Sequence, residues 1–159
     1  MTKLFNIVRP THAYFGQKDA AQCVLIQRIV DDLNMDVNIV VKDTIREDDG
    51  LAMSSRNAYL SADERRAAPV VYRSLCAARD LYQGHYHQSA EASSISATAL
   101  QEAVRSVLSA EPLVSEIQYV SVDSKGTMRQ CENVSKQEGA IVSVACKVGS
   151  VRLIDNIVL

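Results

Sequence analysis

His12-Ala13-Tyr14-Phe15-Gly16-Gln17-Lys18-Asp19 is a short strand that runs straight into a turn. Residues from about Asp19 to Asn34 follow with a helical period, their apolar face formed by Val24, Leu25, Ile26, Ile29, Val30 and Leu33. Asp36 to Val41 (Asp-Val-Asn-Ile-Val-Val) then reads as a second, buried strand. Strand, helix and strand in that order predict a parallel βαβ unit, since parallel strands need a long crossover. One such unit does not complete a doubly wound sheet, whose strands need neighbours and whose faces need helices. Upstream, Thr2 to Val8 reads as the last turns of a helix that Pro10 ends. Both features carry the expectation that part of a domain is missing before residue 1. The exposed sheet edge and helix face would then favour association or disorder before residue 44.

Downstream the pattern changes. Ser61-Ala62-Asp63-Glu64 reads as a helix N-cap with acidic residues in the first turn. That helix runs towards Tyr82, with a kink or restart at Pro69 and an end at Gly84. A second helix is predicted over about Ser89 to Ala110, carrying Ile95, Leu100, Val104, Val107 and Leu108, with Ser89 to Ser96 rich in Ser and Ala but compatible with it. Strands follow at Val114 to Val122, Ala140 to Val148 and Val151 to Leu159. Gly149-Ser150 joins the last two as a two-residue hairpin turn. The boundary between the α/β part and this α+β part falls near residue 44.

Composition narrows the function classes. The chain has 159 residues, 47% hydrophobic and 23% charged, with a net charge of −2, which is ordinary globular composition. No charge surplus calls for nucleic acid or an anionic membrane. No apolar run approaches the roughly 20 residues that span a bilayer, and Met1 to Val8 lacks the features of a leader. A cytoplasmic protein is expected. Cys23, Cys76, Cys131 and Cys146 are far apart in apolar contexts, which reads as buried reduced thiols. His85-Tyr86-His87 has no carboxylate or cysteine at metal spacing and reads as an exposed helix connection, so no metal site is expected.

Two stretches carry chemistry. Gly16-Gln17-Lys18-Asp19 lies at the C-terminal end of a parallel strand and the start of a helix, the edge where open α/β sheets bind ligands. Glycine allows close approach to a nucleotide, lysine meets phosphate as a point charge, and aspartate accepts from ribose hydroxyls. The same residues also suit a plain βα turn with Asp19 as N-cap. Gln22, one turn further on, can hold a hydroxyl or carboxylate, or simply face solvent. Arg46-Glu47-Asp48-Asp49-Gly50-Leu51-Ala52-Met53-Ser54-Ser55-Arg56-Asn57 holds little hydrophobic bulk and reads as a segment not there for packing. Its hydroxyls, backbone N–H groups and guanidinium at a helix start suit an anion. They equally suit a hydroxyl-rich loop capping the Ala62 helix. Glu47, Asp48 and Asp49 read as a solvated spacer.

Together with Lys3-Leu4-Phe5-Asn6 and Val151-Arg152-Leu153-Ile154-Asp155-Asn156, these two stretches resemble the pantothenate synthetase (pantoate–β-alanine ligase) family over essentially the whole chain. The resemblance implies a partial Rossmann-like nucleotidyltransferase, one βαβ unit, over residues 1–44. A small α+β C-terminal lid domain with an antiparallel sheet would occupy residues 45–159. It implies a ligase joining pantoate to β-alanine with ATP and Mg²⁺ through a pantoyl adenylate, and a homodimer. Gly16 and Asp19 would contact the ribose of ATP and Lys18 its phosphates. Ile45 would meet the adenine through its backbone, Met53 would flank it, and Gln22 would bind pantoate. Ser54, Ser55 and Arg56 would grip the leaving pyrophosphate. The family's HxGH motif is not among these residues, which implies a chain lacking the N-terminal part and inactive alone. The other class of reading is a non-catalytic module that binds a nucleotide or a partner.

Overall fold

The computed structural model describes residues 1–88 and 94–159. β1 (His12–Gly16) and β2 (Asn38–Lys42) pair in parallel, from His12 opposite Asn38 to Gly16 opposite Lys42. α2 (Ala20–Asp32) is the crossover between them. Its buried side chains, Ala20, Cys23, Ile26 and Val30, recur at intervals of three and four. This stripe is narrower than the sequence implies, for Leu25 and Leu33 are each 57% exposed. A sheet of two strands covers one stripe of a helix and no more. α1 (Thr2–Val8) ends at Arg9, which takes a left-handed φ of 50° just before Pro10. Its Phe5 packs on Ile26 and Val30, with Ala13, Phe15 and Ile39 around them.

The larger core lies downstream. α3 (Ala62–Ala67) starts in a capping box: the Ser61 hydroxyl accepts from the Glu64 N–H, and the Glu64 carboxylate accepts from the Ser61 N–H. Pro69 separates it from α4 (Val70–Gln88). α4 does not stop at Gly84, and His85-Tyr86-His87 is its last full turn rather than a connection. A glycine inside a helix costs only about 1 kcal/mol. Here tertiary bonds outweigh that cost: the Tyr86 hydroxyl donates to the Val134 carbonyl at 2.8 Å, and that of Tyr82 to Ser135 at 3.2 Å.

The helix expected over Ser89 to Ala110 is α5, Ala97–Ser109. The Ser89–Ser93 part of that expectation lies outside the described residues. Ile95 is not helical: β3 (Ile95–Ser96) pairs antiparallel with β5 (Asn133–Val134), an exchange between segments far apart in sequence.

β4 (Val114–Asp123), β6 (Ile141–Val148) and β7 (Val151–Val158) form an antiparallel sheet in the order β4-β6-β7. Gly149, at φ 57°, and Ser150 make the two-residue turn between Val148 and Val151. Val142, Val144, Cys146 and Val148 of the central strand point at α4 and α5 and meet Leu75, Leu100, Val104 and Leu108. The opposite face carries Ser121, Ser143 and Asn156 towards the start of α2. Cys146 is buried, which pushes its thiol up to about 11, and Cys23 is buried too, but Cys76 and Cys131 are only half-buried. Among the described residues, no helix is long and apolar enough to cross a membrane.

Candidate functional site

The segment from Arg46 to Asn57 is folded by its own backbone. Glu47 N–H donates to the Leu51 carbonyl at 2.9 Å and Gly50 N–H to Glu47 at 2.8 Å. Gly50 turns the chain at φ 90° directly over the ring of Tyr72, where a side chain has no room. Contrary to the sequence reading, the segment does pack: Leu51 and Ala52 are 3% and 4% exposed, and Leu51 belongs to the larger core. The carboxylates are not all a free spacer either. Asp49 accepts from the Arg65 guanidinium, which holds its carboxyl below the usual range.

Met53 N–H donates to the Ile45 carbonyl at 2.9 Å, so the two residues are brought side by side. Ser54 then caps a 3-10 turn, Ser55–Tyr59, its hydroxyl accepting from the Arg56 N–H at 3.3 Å. The capping role considered for this loop therefore belongs to its own turn, and the Ala62 helix is capped by Ser61. Asn57 donates to the Ala52 carbonyl at 3.1 Å. Its Oδ1 is buried and meets no donor among the described residues, an acceptor left open beside the loop.

The Gly16-Gln17-Lys18-Asp19 turn reaches this segment. The Lys18 ammonium donates to the Met53 carbonyl at 3.1 Å. Burial lowers the Lys18 pKa, Asp155 opposes that fall, and Arg56 adds to it. Asp19 caps α2, its Oδ1 accepting from the Gln22 N–H at 3.1 Å. The N-cap reading of Asp19 is thus realised, and its second oxygen makes no such bond among the described residues.

The candidate residues fall into groups. Lys18, Ser54 and Arg56 line one recess of about 10 Å³, room for a single water. Gly16, Lys18, Ile45 and Met53 line a second, more open cleft of about 450 Å³ whose walls also include Tyr14 and Phe15. Lys18 is common to both. Ser55 and Gln22 are exposed and line neither.

Sequence reasoning assigned no role to four residues that hold this arrangement. Arg46 donates to both carboxylate oxygens of Asp155, at 2.5 and 3.0 Å, and to the Gly50 carbonyl at 3.1 Å, while its guanidinium lies 3.9 Å over the Tyr72 ring. Asn156 donates through Nδ2 to the carbonyls of Gln17 and Lys18, at 2.8 and 2.9 Å, and accepts from Gln17 Nε2 at 3.3 Å. The available signal was a charged and an amide residue side by side in a strand whose other residues, apart from Arg152, are apolar.

Comparison with known proteins bears on this geometry. The model of the family "Pantoate-beta-alanine ligase" matches residues 1–158. The pantothenate synthetase of Herpetosiphon aurantiacus is 46% identical over 159 residues, which is all of this chain and 54% of that protein. The crystal structure of pantothenate synthetase from Thermus thermophilus superposes with a TM-score of 0.84 at 37% identity, covering 98% of this chain and 52% of that one. A pantoate–β-alanine ligase from Francisella tularensis, solved with β,γ-ATP and β-alanine, superposes at a TM-score of 0.60 and 26% identity over 99% of this chain and 47% of that one. This chain belongs to the pantoate–β-alanine ligase family. It spans about half the length of the curated relatives it matches.

Proposed function

We propose that this chain forms the Lys18 and Ser54-Ser55-Arg56 side of an ATP cleft in a ligase that condenses pantoate with β-alanine. One contact carries the reading. The Lys18 ammonium on the Met53 carbonyl draws two separate turns onto one recess that Lys18 and Arg56 line together. Two neighbouring cations, a capped 3-10 turn and an open amide acceptor are arranged for an anion with both phosphate and hydroxyl groups. The recess itself holds no more than a water, so the phosphates lie at its mouth, against the exposed Arg56 and Ser55.

In this reading the larger cleft of Gly16, Ile45 and Met53 takes the adenosine, and the free oxygen of Asp19 accepts from a ribose hydroxyl. Gln22 binds pantoate. Ser54, Ser55 and Arg56 hold the leaving pyrophosphate. The pantoate carboxylate attacks the α-phosphate, forming pantoyl adenylate and releasing pyrophosphate. The β-alanine amine then attacks the acyl carbon and AMP leaves. Such chemistry runs on positioning and electrostatics and asks for no protein nucleophile. Among the described residues, no three His, Cys, Asp or Glu side chains gather to hold a metal ion. With ATP bound, its phosphates would hold Mg²⁺, which would supply charge neutralisation beside Lys18 and Arg56. Residues 1–44 act as a Rossmann-like nucleotidyltransferase unit and residues 45–159 as its lid, in a cytoplasmic homodimer. Turnover draws on residues that the other half of such a ligase supplies.

Titration of the chain with Mg·ATP, alongside an AMP assay with ATP, pantoate and β-alanine, tests this. Expected are nucleotide binding that Arg56→Ala weakens about tenfold, as loss of one charge-assisted contact does, and no significant AMP formation by the chain alone. Absence of binding overturns the cleft. Turnover at an ordinary enzymatic rate, about 1 s⁻¹ or faster, overturns the dependence on further residues.

A further inference from the structure

We propose that Asp155 and Asn156 are positioning residues that set the distance between the two walls of the cleft. Consecutive residues of β7 point to opposite faces of the sheet, so one dipeptide reaches two different elements. Asp155 turns towards α4 and takes the fork of Arg46, which is itself stacked on Tyr72 and bonded to the Gly50 carbonyl. Asn156 turns the other way and holds the carbonyls of Gln17 and Lys18. Arg46 begins the segment that ends in Ser54 and Arg56. Gln17 and Lys18 are the turn that carries the lysine.

Both side chains are buried, at 3% and 4% exposure, with their polar atoms satisfied by these partners. A bidentate Arg–carboxylate pair and an amide with both ends engaged are directional contacts, and they fix orientation as well as proximity. The Lys18–Met53 bond then joins the walls directly. Asp155 does more than brace, since its charge also opposes the fall in the Lys18 pKa. Asp155 also lines the recess with Lys18, Ser54 and Arg56, but its carboxylate is taken up by Arg46, so each residue acts through the wall that it holds. The functional part of this inference rests on the nucleotide-cleft reading above, whereas the division of labour between the two residues does not.

The test is hydrogen exchange by mass spectrometry on the 159-residue chain, with Asn156→Asp, the milder Asn156→Ser, and Asp155→Asn. In Asn156→Asp a carboxylate faces two carbonyl oxygens and no longer donates to them. In both Asn156 variants exchange should speed up about tenfold in residues 16–23, with residues 43–54, α5 and β6 unchanged. Asp155→Asn should speed up residues 43–54 and leave 16–23 within twofold. Exchange that rises everywhere together, or in neither window, overturns the proposal, because a merely structural role moves all segments at once. Affinity for Mg·ATP is the second readout and should fall about tenfold in Asn156→Ser. If the native chain binds no Mg·ATP, the cleft reading fails while the exchange pattern still decides the clamp. If the native chain binds, the windows split as stated and the affinities agree within twofold, the residues brace the fold without positioning the site, and the proposal is overturned.

Discussion

Lys18 and Arg56 stand on regions that hold themselves together very differently. Before residue 44, the buried apolar cluster is Phe5, Ile26 and Val30. After it, twenty-three side chains among the described residues form one buried cluster between the sheet and its two long helices. Exposure follows the same division: Leu4, Ile7, Tyr14, Leu25 and Leu33 of the first region are half or more exposed, while Leu75, Leu100 and Leu108 of the second are fully buried. At about 25 cal/mol per Å² of apolar area buried, the second region supplies most of the stabilisation. The difference bears on precision. A lysine on a thinly packed unit is aimed by what it leans on, and here it leans on Met53 and Asn156 of the well-packed one.

The sharpest way to break this comparison is Leu100→Ala. It opens a cavity in a core that is 0% exposed at this position and should cost about 3–4 kcal/mol, read by urea unfolding. A loss below about 1 kcal/mol would mean that the second region is not the stable partner. Arg46→Ala follows, at about 3 kcal/mol, because it strands a nearly buried Asp155 carboxylate. Arg46→Lys should recover only part of that, since a lysine cannot form the fork. Ile26→Ala should cost about 2 kcal/mol, visible as faster amide exchange in residues 12–42 alone. Equal acceleration in α5 would show the two regions to be one cooperative unit.

The smallest effect is a pH dependence confined to the second region. Hydrogen bonds from Ser61 hold the Glu64 carboxyl below its usual pKa. A group whose folded pKa is depressed stabilises the fold above its unfolded pKa, near 4.5, and loses that contribution as pH falls through the lower, folded value. Glu64→Gln should therefore flatten the acid side of a plot of melting temperature against pH below about 4.5, whereas Ser61→Ala should largely keep it, because the main contact is the Ser61 backbone N–H. An unchanged acid limb would rule the capping box out as its source.

Much of the fold was legible because it is written in local periods. Apolar residues at helical spacing between a short aromatic stretch, Tyr14-Phe15, and the β-branched run Ile39-Val40-Val41 identify α2 and its strands, and Gly149-Ser150 between two β-branched-rich strands identifies the last hairpin. The misses share one cause. α4 continues past Gly84 because Tyr82 and Tyr86 bond carbonyls about fifty residues away, and Ile95 leaves a helix for a strand because Val134 pairs with it. No local pattern records either partner. The site divides in the same way. Lys18, Ser54 and Arg56 announce themselves by residue type and by family likeness. Gln22 and Ser55 do so too, yet they lie outside both cavities that the others line. Asp155 and Asn156 stand only inside the string that carries the family likeness, with no role of their own there.

The clamp at the end of β7 also bears on the order in which the protein assembles. Asn156 meets Lys18 across 138 positions of sequence and Asp155 meets Arg46 across 109. Loop closure makes such contacts late ones, since their entropy cost precedes any reward. Within the βαβ unit and between α4 and α5 the partners lie closer in sequence. The walls of the cleft take their spacing only once β7 has closed onto β6 and brought these distant segments together, so the spacing of the site waits on long-range contacts.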